Sequence, residues 1–426
     1  MMKTIIIGGG ASGMLASVFA SEYSEVILLE KNEKLGKKLY ITGKGRCNLT
    51  NCAPDNEFFE NVVSNPKFLY SAIKSFNSEK LMEFFTKKGL QLKVERGNRV
   101  FPFSDKSNDV IKTLQNAMTN KVDIHLSEKV IDWEISDNRI TQIITDKGKY
   151  QCDKVIIATG GNSYQLTGST GDGYALAQKA GHNIIPIKPA LSAIITRYVL
   201  DINGGKHTLD TLSKVQGLSL KNVRASIVNK DSKKVLYTEF GEMLFTSQGV
   251  SGPIILTLSS RINRMDLNNI ILSIDLKPAL NVETLDTRVL RDFEIYNNKQ
   301  FKNSLNQLLP TSLIPFIIPL SGISGEKQVN SISKKERMDF VYLLKNLTFM
   351  LYGLDNLDRA IITAGGVDTK EINPKSMRSK LIDNLYFAGE IIDVDALTGG
   401  FNLQIAFATA YLAGSNSDNS IKGEEK

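Results

Sequence analysis

Three glycines and one acid near the start of the chain have the types and spacing to hold a phosphate group. Gly8, Gly10 and Gly13 form G-x-G-x-x-G in the run GGGASG, and Glu30 follows 22 residues after Gly8. In such a run the first glycine permits a tight turn and the second lets a pyrophosphate approach the backbone. The third lets a helix pack closely on a strand. N–H groups at the helix start would carry the phosphates, where the helix dipole favours negative charge. A carboxylate at Glu30 can accept hydrogen bonds from an adenosine ribose.

This chemistry needs a strand, a turn and a helix around it. Lys3 to Ile7 (KTIII) is a β-branched run suited to a strand buried on both faces, and Ala11 to Glu22 then reads as a helix. Glu25 to Leu29 (EVILL) is a second buried strand ending at Glu30. Strand, turn, helix and terminal acid together predict a dinucleotide site rather than a glycine-rich turn that binds nothing.

Two later segments separate FAD from NAD. Lys154 to Thr159 (KVIIAT) runs into Gly160-Gly161, the ATGG turn by which FAD-binding Rossmann proteins return the chain to the cofactor. Asn384 to Glu390 (NLYFAGE) is a strand entering the Gly389–Glu390 pair, expected along the ribityl chain. Leu397 to Gln404 (LTGGFNLQ) opens a helix running to about Leu412. Backbone N–H groups at Gly400, Phe401 and Asn402 would face the flavin pyrimidine edge and stabilise negative charge there. Val130 falls where such proteins offer backbone groups to adenine.

With these segments in order, the chain resembles the HI0933-like bacterial FAD-dependent (NAD(P)/FAD) oxidoreductases, the family named after aminoacetone oxidase and bile-acid dehydroxylation. The resemblance is carried by Gly8–Gly13, TGKGRCNLTN (Thr42 to Asn51), GSTGDGYALAQKAGH (Gly168 to His182) and GEMLFTSQGVSGP (Gly241 to Pro253). ITAGGVD (Ile362 to Asp368) and LYFAGEIIDVDALTGGFNLQIA (Leu385 to Ala406) complete it. It implies an α/β fold: a split Rossmann-type FAD-binding domain, an inserted β-rich domain and a small helical subdomain within the insertion. By position it implies FAD contacts at Gly8, Gly10, Ala11, Ser12, Gly13, Glu30, Lys31, Arg46, Thr159, Gly160, Gly389, Glu390, Gly400, Phe401 and Asn402. Ser247 stands where the family carries a histidine, and Arg378 replaces an acid. Both departures argue against copying a substrate from a relative.

The expected division is 1–190 for the first part of the FAD domain, 191–345 for the insertion, with its helical piece at about 280–330, and 346–414 for the second part. A polar tail closes the sequence at 415–426. Helices are expected within Asn65–Lys88, over Asn108–Met118, over Glu283–Leu309 and over Lys334–Leu344. A hairpin is expected at Asp137-Asn138, and Leu191–Asp275 reads as strands with one helix near Gly252-Pro253. The insertion would provide a lid or substrate wall.

Composition narrows the remaining chemistry. Hydrophobic residues make up 42% and charged ones 23%, so the chain can build a sizeable core and global disorder is excluded. Cys47, Cys52 and Cys152 are too few for a disulfide framework, which points to a reducing compartment, and no leader or spanning segment is read, so a cytoplasmic protein is expected. No metal site is expected, because HExxH, paired CxxC and carboxylate–histidine clusters are missing. With no histidine before His125, the FAD is expected to be noncovalent; His182 and His207 read as structural or surface groups. No catalytic acid or base is assigned, a small-molecule substrate is expected, and oligomeric state is left open.

Cys47 and Cys52 have the CxxxxC spacing of flavoprotein disulfide reductases, but a second G-x-G-x-x-G for NAD(P)H and a histidine beyond His207 are missing. NAD(P)H is then expected only as a transient co-substrate, and two ordinary thiols are favoured over a disulfide relay. Five of the residues behind the +7 net charge are Lys34, Lys37, Lys38, Lys44 and Arg46, and without them the balance is +2. That concentration reads as a local anion site beside the cofactor rather than a nucleic-acid surface, since aromatics are not interleaved with it. A flavin-dependent tRNA-modifying enzyme and a non-catalytic flavin-binding protein are the competing classes.

Overall fold

The structure, a computed structural model, describes residues 1–202, 205–209 and 212–415, with side chains described outside 198–209. The expected tail beyond Ser415 and the His207 side chain fall outside the described residues. The chain forms two compact units, one from Met1–Ala190 with the chain from Leu357 onward, the other Leu191–Asn356.

In the first unit the apolar runs assemble a five-stranded parallel sheet. Its order is Leu385–Phe387, Lys154–Ile157, Lys3–Ile7, Glu25–Glu30 and Val122–Leu126. Ile5, Ile6, Leu28, Val155 and Ile156 are almost wholly removed from water, as β-branched and leucine side chains must be when helices cover both faces. Each such burial stabilises the fold by roughly 1.5–3 kcal/mol. The helices Ala11–Ala20 and Phe401–Ser415 pack closely enough that a Cβ on Gly414 would stand 2.8 Å from the Ala16 carbonyl oxygen. A second layer is the antiparallel meander Val130–Ser136, Arg139–Thr145 and Lys149–Gln151. Its first turn places Asp137 and Asn138 at positive φ, as expected of a tight hairpin. Ile184–Ala190 pairs antiparallel with Ile362–Val367, so Ala190 lies opposite Ile362, close to where the chain leaves and re-enters this unit.

The second unit contains a closed antiparallel barrel. Around it run Ile194–Ile202, Gly249–Ser251, Val235–Phe245, Ser219–Asn229, Ile270–Asp275 and Leu347–Leu354, and the last pairs back onto the first. Gly205–Leu209 extends it as a hairpin partner of Ile194–Ile202. Closure removes the unpaired edges that an open sheet would offer to other chains. Val282–Ile295, Ile314–Ser321 and Lys334–Lys345 supply the helical part. Ser333 caps the last of these through a reciprocal bond with Glu336, and Arg337 ties it to Val282–Ile295 through Asp286 at 2.7 Å.

Two sequence expectations are corrected here. The boundary expected at 345/346 moves to Asn356/Leu357, because Leu347–Leu354 closes the barrel instead of re-entering the FAD-type unit. The long helix expected over Glu283–Leu309 ends at Ile295, and a short turn at Phe301–Asn303 follows. Ile314–Ser321 is helical despite Pro315 and Pro319; Pro315 lies in its first turn, where the missing N–H costs nothing.

Candidate cofactor site

The glycine run at the end of Lys3–Ile7 separates into two kinds of position. Gly8 has φ +103°, and a Cβ there would lie 2.7 Å from the Ala158 carbonyl oxygen. A Cβ on Gly13 would lie 1.7 Å from the Gly8 oxygen. Packing within the protein therefore explains both. Gly10 differs: a Cβ there would meet nothing within 4 Å, and its φ of −80° is open to any residue. Space in front of the helix start, unclaimed by the protein, is what a phosphate cradle requires.

Glu30 ends its strand buried, with Oε2 accepting from the Gly9 N–H at 2.6 Å. Oε1 accepts from the Asn32 backbone and side chain at 2.8 and 2.7 Å. The carboxylate thus braces the turn while standing beside it. The meander approaches the same corner, since the Glu128 N–H donates to the Glu30 carbonyl and Val130 begins the next strand. Lys31 donates to Asp172, at 2.6 Å, and to Thr170. Burial works to raise the Asp172 carboxyl, but Lys31 and Lys129 outweigh it and hold the group below the usual carboxylate range.

Across the cradle, Gly389 sits against the helix start, where a Cβ would lie 2.2 Å from Ser12 Oγ. The Glu390 carboxylate accepts from the Thr363 N–H at 2.8 Å, Ser163 Oγ at 3.1 Å and Lys38 Nζ at 2.7 Å. Gly160 turns at φ +75°, and Thr159 Oγ1 next to it is buried with no hydrogen-bond partner among the described residues. Asn48 Oδ1 is in the same condition. Two residues on, the Thr50 carbonyl would stand 2.4 Å from a Cβ on Gly400, so this segment packs against the loop that starts Phe401–Ser415. Phe401 is buried against Phe58, with ring centroids 5.7 Å apart. By helix geometry, the first N–H groups of Phe401–Ser415 lack an intrahelical acceptor and point out of its start.

Some predicted residues do other work. The Asn402 side chain bonds the Ala396 backbone at both its N–H and carbonyl, so only the Asn402 N–H is left to face a ligand. Arg46 is held by Glu95 and Asp105 at 2.5 Å each and lies 4.2 Å over the Phe101 ring. Lys37 meets Glu33 and Lys38 meets Glu390. Three of the five cations of the basic loop, Lys37, Lys38 and Arg46, are therefore paired within the protein instead of standing open to an anion. The acids of Glu95, Asp105 and Glu390 are remote in sequence, so the loop read as uncompensated. Asn48 is missed, and Lys38 is read only as one cation of the basic loop, because nothing in their local pattern shows which groups they face.

The cysteines are all free. Burial pushes the Cys47 thiol up to about 12, and burial also raises Cys152 to about 12, so neither supplies a thiolate near neutral pH. His182 is enclosed between Glu371 and Ser379, and His125 bonds Asp123, Glu128 and Tyr150. Among the described residues, no group of three or more potential ligands could hold a metal. No described helix is long and apolar enough to cross a membrane.

A parallel sheet, a glycine turn with room before a helix start, an acid ending the second strand and unpartnered buried polar atoms fit FAD. They define a Rossmann-type flavoprotein oxidoreductase. The chain belongs to the family described as HI0933-like protein Rossmann domain, whose model matches residues 2–416. It is 32% identical to the 3-dehydro-bile acid delta(4,6)-reductase of Clostridium scindens, over 97% of this chain and 98% of that one. It is 27% identical to the ribosomal RNA dihydrouridine synthase of Haemophilus influenzae, over 96% of each. Among solved structures, the 3-ketosteroid-delta4-(5alpha)-dehydrogenase of Rhodococcus jostii aligns with 97% of this chain and 96% of its own, at 13% identity and a TM-score of 0.49. The protein is an FAD-dependent oxidoreductase of this family.

Proposed function

We propose that the enzyme saturates a carbon–carbon double bond conjugated with a carbonyl in a small organic molecule, using noncovalently held FAD. The observation that carries this is the near-full-length similarity to two relatives whose names describe one chemical operation. A delta(4,6) bond system next to a 3-oxo group and the uracil ring of uridine are both alkenes activated by a carbonyl. Reduction adds a hydride to the carbon β to the carbonyl and a proton to the α carbon.

Bound FAD, once reduced by two electrons from NAD(P)H, would supply the hydride. In this reading the N–H groups of Gly10, Ala11, Ser12 and Gly13 hold the pyrophosphate, with Gly8 shaping the turn. Glu30, Lys31 and Val130 lie at the adenosine end. Thr159, Gly160, Gly389 and Glu390 follow the linking chain. Gly400, Phe401 and Asn402 present backbone N–H groups to the pyrimidine edge, where they stabilise negative charge. Arg46 acts through the fold around Asp105 and not on the cofactor. NAD(P)H serves as transient reductant.

A small molecule is favoured over RNA because three of the five cations of the basic loop, Lys37, Lys38 and Arg46, are paired with Glu33, Glu390, Glu95 and Asp105. Binding to RNA would need those cations free to replace counterions. The test is anaerobic mixing of the yellow protein with NADH or NADPH, then with a conjugated 3-oxo steroid or with uridine-containing ribosomal RNA. Flavin bleaching by one nicotinamide and reoxidation by the steroid is expected. Reoxidation by RNA alone would move the substrate to uracil, persistent oxidised flavin would favour a non-catalytic flavin protein, and a colourless protein that takes up no FAD would overturn the reading.

A further inference from the structure

Lys38 and Glu390 reach the cradle from opposite sides. Lys38 lies in the short helix Lys37–Ile41, whose preceding residue Gly36 donates its N–H to the Gly9 carbonyl at 2.9 Å. Leu35 is packed so tightly on Gly9 that a Cβ there would stand 2.3 Å from Leu35 Cδ2. This segment is therefore fastened to the glycine turn itself. Glu390 is fastened to the other wall through Gly389 and Ser12. Between them Lys38 Nζ lies 2.7 Å from Glu390 Oε2, 3.0 Å from Oε1 and 2.7 Å from Ser163 Oγ. Both side chains are mostly buried, at 22% and 17% exposed.

The arrangement poses an electrostatic problem and answers it. A carboxylate at Glu390 stands beside the helix start where, in the reading above, a doubly charged pyrophosphate binds. In a partly buried site the two like charges repel far more than in water. Thr363 and Ser163 orient the carboxylate on Oε1 but are neutral, so they do not cancel its charge. Lys38 does, and with one donor on Oε2 it leaves that oxygen able to accept from a ligand hydroxyl.

We propose that Lys38 is a positioning residue for FAD: it neutralises and holds Glu390, so that this acid can meet the polyhydroxyl chain without opposing the phosphates. The inference rests on the FAD reading. Lys38 does not contact the phosphates in this scheme, so its value depends on the charge at position 390.

That dependence makes the experiment. FAD dissociation constants would be measured by flavin fluorescence on the apoprotein for the unsubstituted protein, K38M, K38R, E390Q and the K38M/E390Q double variant. Thermal unfolding without FAD would accompany each. K38M should weaken FAD about 30-fold, and K38R should recover most of it, because removing one partner of a buried pair leaves the other charge exposed to its surroundings. In the E390Q background the same K38M change should cost no more than about threefold, a large coupling in a double-mutant cycle. An equal loss from K38M in both backgrounds would show that Lys38 acts on the phosphates directly or on the fold, and would overturn the proposal. So would unchanged affinity in K38M. If K38M does not fold, the double variant decides: FAD affinity close to that of E390Q supports the proposal, and loss of affinity overturns it. An unsubstituted protein that takes up no FAD would remove the cofactor reading beneath it; every other result bears on Lys38 alone.

Discussion

The same residue type at Gly10 and Gly13 answers to two different demands, and substitution separates them. At Gly13 an added methyl would drive into the Gly8 carbonyl, and relief requires the helix to back away from its strand. At Gly10 the methyl enters open space at a φ that alanine adopts freely. Gly13→Ala is expected to cost about 3 kcal/mol of stability, in the range of overpacked cores. Gly10→Ala should stay within about 0.5 kcal/mol yet weaken FAD about tenfold or more by crowding the approach to the backbone. Denaturant unfolding and FAD titration of the two variants check this, and equal stability loss in both would sink it. Glycine spacing alone marks both positions; only the surroundings separate the one packed against the fold from the one left open.

At the scale of elements, His182 joins the end of the helix Asp172–Lys179 to the turns before the strand Leu385–Phe387. Its Nδ1 lies 3.0 Å from Glu371, its Nε2 2.7 Å from Ser379 Oγ, and its ring meets Phe387 edge-on at 4.9 Å. Burial lowers its pKa, and the opposing pull of Glu371 does not restore it. The folded chain thus binds this proton less readily than the unfolded chain, so stability is complete above the usual value of 6.5 and is lost as pH falls below it. His125 has the opposite sign, because Asp123 raises its pKa and its contribution is present at low pH and lost as pH rises. Melting temperature should fall from pH 7 to pH 5, and less so in His182→Gln than in the unsubstituted protein. Equal slopes would refute the assignment.

Elements were legible wherever local pattern suffices. KTIII and KVII are strands, Asp137-Asn138 is the hairpin turn, and Pro253 opens a helix. The sequence alone places Leu347–Leu354 in the wrong unit, because a buried strand reads the same in a barrel and in a parallel sheet; its partners at Ile194–Ile202 lie some 150 residues away.

At the scale of the whole molecule, the second unit is inserted between strands that already pair. Ala190 and Ile362 are opposite one another, so the first unit can be closed without its insertion by a short flexible link from Ala190 to Leu357. Such a chain is expected to fold, to keep the parallel sheet and to bind FAD within about tenfold of the full protein, since domains with their own core fold alone. Circular dichroism and FAD titration check it. A chain that unfolds or binds no FAD would show that the core of the first unit depends on residues 191–356.

By itself the amino-acid order determined the glycine turn after Lys3–Ile7, the buried strands and the recurrence of glycine turns at Gly160, Gly389 and Gly400, which the proposed FAD reading uses. Those features follow from φ preference, side-chain periodicity and spacing, all of which act over a few residues. Tertiary structure alone decided where the charges went. Arg46 is matched by Glu95 and Asp105, Lys31 by Asp172 and Lys38 by Glu390, a partner 352 residues further along the chain. A charge is cancelled by whatever the fold brings within a few ångströms, and linear spacing carries no record of that distance.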